Sequence, residues 1–292
     1  MRELKVCYTY NRDNMGDAIN PYIFNVLGVS CKYARASICE ITGIGSGLRR
    51  FFLRPDSLSN IKEITLGWIN PRPLILFSAG FLRTPTGQEL CTRRNVKVTS
   101  VRGELSKKYC EQILGRSISC VTGDAGLLAS ECLQTDRQIP SCLPYTSKKK
   151  YSVGIIPHDK DTNDPLVERL HFSIKDSTII KVYGDVISIL ERISECSTII
   201  SSSLHGLIFA DSFHIPNIHI VISDRLSGDG FKFKDYYSSY GIDYEEPFVC
   251  NEESINLLTE SYICSNYHLT AEMIESKKRD IKAAFYSCIE HF

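Results

Sequence analysis

The chain has 292 residues, 43% of them apolar and 23% charged, with 34 basic residues against 34 acidic ones. That length suits two domains of ordinary size, and the composition excludes a disordered or fibrous chain. With no net charge, nothing in the balance points to nucleic acid or an anionic membrane as the main partner, so an anionic ligand would need a local cluster of basic groups.

In chain order the pattern alternates between strand and helix. Lys5–Tyr10 reads as a strand ending in the polar turn Asn11–Gly16, and Asp17–Leu27 as a helix with Pro21 in its first turn. Leu74–Phe77 and Val96–Val101 are strands, Gly103–Leu114 a helix, and Ser119–Thr122 a strand. Glu131–Lys150 carries Pro140, Pro144 and a lysine run with little periodicity, and reads as a linker. The alternation resumes with strands at Tyr151–Pro157 and Ser177–Val182, a helix at Val186–Cys196, a strand at Thr198–Ser201, a helix at His205–Phe213 and a strand at Asn217–Ile222. Thr270–Phe292 reads as a long amphipathic helix with Ile274, Ile281, Phe285 and Cys288 on its stripe and Lys277–Asp280 mostly off it.

This is the pattern of β-α-β units around parallel sheets, an α/β fold. The boundaries expected from it are an amino-terminal domain over 1–143, a linker over 144–150, a second domain over 151–269 and a closing helix over 270–292 that packs back across both. Two such halves imply a cleft between them. Ligands of open parallel sheets sit beyond the carboxyl ends of the strands, so each strand-to-helix turn is a candidate site.

The 12 cysteines are scattered, with no C-x-x-C pair and no metal-like spacing. The first ten residues lack an apolar signal core, and apolar stretches such as Pro73–Leu82 are too short to span a bilayer. Reduced, buried thiols in a cytoplasmic protein are the expectation, with no metal.

Four turns carry candidate chemistry. Ser201-Ser202-Ser203-Leu204-His205-Gly206 joins a strand to a helix N-terminus, where free N–H groups and the helix dipole suit a phosphate. A set of capping serines around a core histidine reads the same way. Asn14, Gly16 and Asp17 follow the first strand, where Asp17 orients a hydroxyl, accepts a proton or simply caps the helix. Arg102 lies between a strand and a helix, placed to hold a phosphate or carboxylate or to pair with an acid. Gly123-Asp124 forms another strand-end turn, where Asp124 reads as structural, holding neighbouring loop amides. Arg225 and the run Phe231–Tyr237, which includes Lys232, add basic and aromatic groups after the last strand of the second half. Gly43-Ile44-Gly45-Ser46-Gly47 is glycine-rich but completes neither a dinucleotide fingerprint nor a P-loop.

Taken in order, these stretches resemble the polysaccharide pyruvyl transferase family. The likeness is carried by Asn14–Asp17, Val101–Ser106, Gly123-Asp124, Val153–His158, Ser201–Gly206 continuing to Pro216, and Lys232–Tyr237 with Gly241. It spans about residues 6 to 241.

The resemblance implies two Rossmann-like domains facing a cleft, as in GT-B glycosyltransferases. It also implies a pyruvyl group passing from phosphoenolpyruvate, as co-substrate without a further cofactor, to a glycan or lipid-linked sugar of a capsule, exopolysaccharide or cell wall. Association with the inner face of a membrane would follow from a lipid-linked acceptor. On this reading His205 and Asp17 are catalytic. Arg102, Ser201, Ser202, Ser203, Gly206, Arg225 and Lys232 hold the donor, and Asn14, Gly16 and Asp124 face the acceptor. Some members carry arginine where this chain has Ser203, and Arg102 or Arg225 is the expected replacement. A nucleotide-sugar glycosyltransferase and a non-catalytic glycan- or phosphate-binding protein are the competing readings.

Overall fold

A computed structural model describes residues 3–10, 14–139, 147–226, 228–244 and 246–289. The strands of the amino-terminal half are β1 (Glu3–Cys7), β2 (Ser30–Tyr33), β3 (Ile41–Thr42), β4 (Phe52–Leu53), β5 (Leu74–Leu76), β6 (Leu90–Cys91), β7 (Val96–Val98), β8 (Ser100–Val101) and β9 (Val121–Thr122). Five of them form a parallel sheet in the order β2-β1-β3-β5-β7. The carboxyl-terminal half has β10 (Tyr151–Ile156), β11 (Ser177–Ile179), β12 (Cys196–Ser201), β13 (Asn217–Val221) and β14 (Phe248–Val249), a second parallel sheet in the order β11-β10-β12-β13-β14. The register is continuous from Tyr151↔Cys196 to Ile156↔Ser201. Parallel strands are covered on both faces, which is why β5 is buried throughout and β10 is buried from Val153 to Ile156. The α/β class with parallel sheets is therefore realised.

The helices are α1 (Met15–Ala18), α2 (Asn20–Val26), α3 (Leu58–Ile69), α4 (Glu104–Leu114), α5 (Ala129–Asp136), α6 (Pro165–Ser173), α7 (Val186–Ser194), α8 (Leu204–Ser212), α9 (Phe231–Ser238), α10 (Glu260–Ser265) and α11 (Ala271–Ile289). The expected Asp17–Leu27 helix starts earlier and breaks at Ile19, with Pro21 in the first turn of α2. A larger departure is α5, which occupies the first part of the expected linker. Ala129, Cys132 and Leu133 recur at helical spacing and are buried, a signal overshadowed by the prolines that follow. Residues 140–146, and with them Pro140, Pro144 and part of the 144–150 linker, lie outside the described residues, as do residues 11–13 of the first polar turn.

α8 is buried at every residue but His205, and a helix apolar all round belongs inside a core. Its other flank meets the short helical turn Ala125–Leu128 of the first half. There Gly126 lets the chain approach, since a Cβ on it would stand 2.9 Å from Ile208 Cγ2. One apolar cluster thus contains Phe24, Phe77 and Leu127 from the first half together with Leu207 and Phe209 from the second.

α11 joins the same cluster. Phe285 packs against Phe77 and Phe24 with ring centroids 5.1 and 5.8 Å away. Lys278, expected off the stripe, is buried on it, because its ammonium finds Ser212 O at 2.9 Å, Glu275 Oε1 at 2.7 Å and Ser130 Oγ at 3.2 Å. Lys277 donates to Thr122 O at 2.9 Å.

The two halves also share a fully buried ion pair. Arg102 Nε meets Asp235 Oδ2 at 2.9 Å, and both side chains are wholly excluded from solvent. Asp235 also accepts from Ser106 N–H at 2.7 Å and Ser106 Oγ at 2.6 Å, while Arg102 donates to Phe81 O and Ser46 Oγ. The pair locks α9 of the second half onto the start of α4.

Removing one member of such a pair strands a charge in a dry site. Asp235→Ala should lower the unfolding free energy by about 3–5 kcal/mol in chemical denaturation, and Arg102→Met with Asp235→Leu should recover part of the loss. An Asp235→Ala midpoint equal to the parent's would contradict this account.

Candidate active site

The carboxyl ends of β10 and β12 open onto α8. Ser201 Oγ lies 2.9 Å from the carbonyls of Ile156 and Ser203 and accepts from Ser203 N–H at 3.0 Å. Ser202 Oγ accepts the His158 N–H at 2.8 Å and stands 3.5 Å from the buried carboxylate of Asp161. A Cβ on Gly206 would fall 2.3 Å from Ser201 Oγ. Ser201, Ser202 and Gly206, expected at the donor, therefore work inside the turn, where their polar atoms and close approach are already used. Ser203 caps α8 without a side-chain bond to it, which leaves the first-turn N–H groups available.

The His205 ring reaches across to the first half. It fills the space beside Gly16, where a Cβ would stand 1.9 Å from Nδ1, and it touches the side of Gly45. Gly16 thus admits this imidazole rather than an acceptor. Phe209 stacks on the ring at 5.7 Å. Nε2 is buried and has no hydrogen-bond partner among the described residues. Burial first, then the charge of Lys232 and Arg102, pushes the imidazole pKa down to about 3. His205 is consequently neutral near pH 7, a hydrogen-bonding group and not a resting acid.

Asn14, expected at the acceptor, caps α1 by accepting Gly16 N–H at 3.0 Å. Asp17 is half-buried, and its carboxyl is pushed up to about 6 by burial, against the pull of Arg50 and a hydrogen bond with Thr9; nearby Asp159 adds to the rise. Arg50 in turn donates to Thr9 Oγ1 at 3.2 Å.

Three other expectations are corrected. Arg102 cannot clamp a donor, because its guanidinium is committed to Asp235, Phe81 O and Ser46 Oγ. Arg225 pairs with Asp164 and, at 3.4 Å, with Asp161, and so ties the turn after β13 to the turn after β10. Asp124 is completely buried and accepts Gly126 N–H at 2.8 Å, with burial lifting its carboxyl to about 6. It supports a turn and does not reach an acceptor.

Lys232 behaves differently. It sits half-buried in the first turn of α9, its ammonium 5.0 Å from the Phe233 ring centroid. Among the described residues it has no hydrogen bond and no ion pair. Burial, then Arg102, lowers it to about 8, opposed by Asp159. It lines a hollow of about 300 Å³ with Ser223, Asp224 and Tyr244.

His158 was not singled out among the candidate residues, although it stands at the end of β10 within a family-like stretch. Its Nδ1 contacts the Asp159 carboxylate, and Lys160 N–H approaches the same atom at 3.3 Å. Burial and Lys232 lower its pKa, while Asp159 and Asp161 raise it. Arg50 was likewise missed, and its place just after the glycine-rich segment was the available signal. No group of three or more metal-ligating side chains occurs among the described residues.

The comparisons with known proteins bear on the fold and the family. S. aureus MnaA, in a structure with UDP, aligns with 96% of this chain and 91% of its own at a TM-score of 0.50 and 12% identity, a likeness of fold alone. The uncharacterized protein L143 of Acanthamoeba polyphaga mimivirus is 30% identical over 189 residues, which is 62% of each chain. The chain thus matches less than two thirds of that relative's length. The family model "Polysaccharide pyruvyl transferase" matches residues 38–224, a span that includes Arg102, His158 and His205 and more than half of the chain, and the chain belongs to that family.

Proposed function

We propose that this chain transfers the pyruvyl group of phosphoenolpyruvate to two hydroxyls of one sugar, forming a cyclic ketal and releasing phosphate. The observation that carries this reading is Lys232. It is a half-buried cation without a carboxylate partner among the described residues, and it acts electrostatically on both His205 and His158. Such a cation, near enough to act electrostatically on His205 in the first turn of α8, is suited to hold an anion there. Lys232 then takes the place expected of the family arginine at Ser203, since Arg102 and Arg225 are engaged elsewhere.

The two sheets are read as Rossmann-like halves in a GT-B-like arrangement, with residues 1–143 facing the acceptor and 151–269 the donor phosphate. Lys232, the α8 N-terminus and neutral His205 hold the donor. His158, with Asp159 at Nδ1, supplies the proton that adds to the methylene carbon, and the bound phosphate offsets the effect of Lys232 that disfavours this proton. Asp17 takes the proton of the first sugar hydroxyl as its oxygen bonds to C2. The C2–O bond to phosphate then breaks, the second hydroxyl oxygen bonds to C2, and its proton leaves with the phosphate. Phosphoenolpyruvate is an intracellular metabolite, so the reaction belongs in the cytoplasm. The acceptor is a glycan or its lipid-linked precursor.

Thermal melts with phosphoenolpyruvate, inorganic phosphate, pyruvate and nucleotide-sugars test the donor. Phosphoenolpyruvate at 100 times its Kd should stabilise the protein by about 2.7 kcal/mol, and Lys232→Ala should lose most of that gain. Stabilisation by a nucleotide-sugar without any by phosphoenolpyruvate would instead support a glycosyltransferase.

The pH profile follows from the same groups. A base is active when deprotonated, so at saturating donor, where the bound phosphate keeps His158 protonated, kcat should rise through pH about 6 as Asp17 ionises. A lysine binds anions only when protonated, so donor affinity should fall above pH about 8 as Lys232 discharges. Asp17→Asn should lose turnover, and an Asp17→Asn enzyme that keeps the acid limb and the rate would remove Asp17 from the mechanism.

A further inference from the structure

α3 carries its apolar face outward. With 3.6 residues per turn, Leu58, Ile61, Leu66, Trp68 and Ile69 fall on one side of it together with Thr65 and Lys62. All are exposed, Leu58 at 87% and Ile69 at 73%. Only Ile64 and Gly67 are buried. An ordinary surface helix shows the reverse pattern.

The orientation is held from below. A Cβ on Gly67 would stand 2.0 Å from Thr92 O, so the backbone of α3 lies directly on the chain beneath it. Trp68 Nε1 donates to Cys91 O at 2.8 Å, and Asn70 donates to Ser37 O at 2.9 Å just past the helix. The helix cannot roll to bury its stripe without breaking these contacts.

The charges around the stripe are mainly basic. Lys62 lies within it, the Arg94 guanidinium is 5.1 Å from the Trp68 ring centroid, and Arg72 follows the helix. Glu63 is the acidic residue of the helix, and it lies on the flank. Arg54 and Asp56, before the helix, pair with each other. Tryptophan, branched aliphatic side chains and long cationic stems are the residues that settle at a lipid–water boundary.

Size favours the same occupant. A helix of 12 residues presents a strip roughly 18 Å by 10 Å, far below the roughly 800 Å² per partner of a stable protein interface. A fluid surface accepts so small and convex a patch, and a second copy of this chain does not.

We propose that α3 docks the protein onto an anionic lipid surface, lying in its plane with Leu58, Ile61 and Ile69 inserted among the acyl chains. That the acceptor reaches the site from this surface rests on the function proposed above, whereas the docking itself does not.

The test is sedimentation of the full chain with vesicles of phosphatidylcholine, alone or mixed with phosphatidylglycerol. The protein should pellet with the mixed vesicles, about ten-fold less with neutral ones, and should be released by high salt. The variant Leu58→Ser, Ile61→Ser, Ile69→Ser should bind mixed vesicles about ten-fold less while keeping the parent's melting temperature and its response to phosphoenolpyruvate. Absence of binding to either vesicle, or a triple variant that binds like the parent, overturns the proposal. A concentration-dependent dimer in ultracentrifugation that the triple substitution abolishes overturns it as well, assigning the face to a second copy. Vesicle binding without any stabilisation by phosphoenolpyruvate would leave the docking standing and remove the donor assignment.

Discussion

The candidate site depends on the contact between Arg102 and Asp235. A charge buried in protein costs several kcal/mol in lost hydration, and the cost is offset only when its partners are complete. Here Asp235 accepts from Arg102, Ser106 N–H and Ser106 Oγ, and Arg102 uses its remaining reach on Phe81 O and Ser46 Oγ. The geometry tolerates little displacement, because a Cβ on Gly103 would fall 1.7 Å from Asp235 O and one on Gly80 would fall 2.3 Å from the guanidinium. α9 is therefore docked at one angle and one register. Lys232 lies in its first turn, so its position relative to His205 is set by an ion pair that itself never reaches a ligand.

From this placement the ionisation states follow. Burial, Lys232 and Arg102 all disfavour a proton on His205, which remains neutral near pH 7. Burial lifts Asp17 toward neutrality more than Arg50 and Thr9 hold it down, and this brings a carboxylate into the range useful to a base. Lys232 is held below the usual lysine range yet still charged at neutral pH. Three groups whose ordinary pKa values differ widely are shifted by one shared loss of solvent, each according to the charge it carries.

Much of the fold was legible in the sequence because parallel strands buried on both faces read as apolar runs, as in Leu74–Leu76 and Ile199-Ile200. The turn Ser201–Gly206 was legible as a helix N-terminus for the same reason. The duties of its serines were not, since hydrogen bonds such as Ser202 Oγ with His158 N–H span 44 residues. Arg102 shows the limit most clearly. An arginine between a strand and a helix looks like a ligand clamp until Asp235, 133 residues later, is seen to occupy it. Arg225 failed in the same way, through Asp161 and Asp164, whereas Asp124 holds Gly126 N–H only two residues on, a structural role that its turn allowed. α5 failed because Pro140 and Pro144 outweighed a short stripe of Ala129, Cys132 and Leu133.

The zero net charge and the proposed anion site are compatible because the charges are sorted and not merely balanced. Arg102 is neutralised by Asp235, Arg225 by Asp161 and Asp164, and Lys278 by Glu275. Each of these cations serves packing, so none competes for a ligand. Among the described residues Lys232 differs in having only distant carboxylates, with Asp159 acting on it through space and not through contact. An anion that enters gains that charge without first displacing a salt bridge. On the function proposed above, it would also relieve the repulsion that Lys232 exerts on His158, so that binding the donor would favour the protonated state that the transfer requires. Substrate recognition and activation of the acid would then be one electrostatic event.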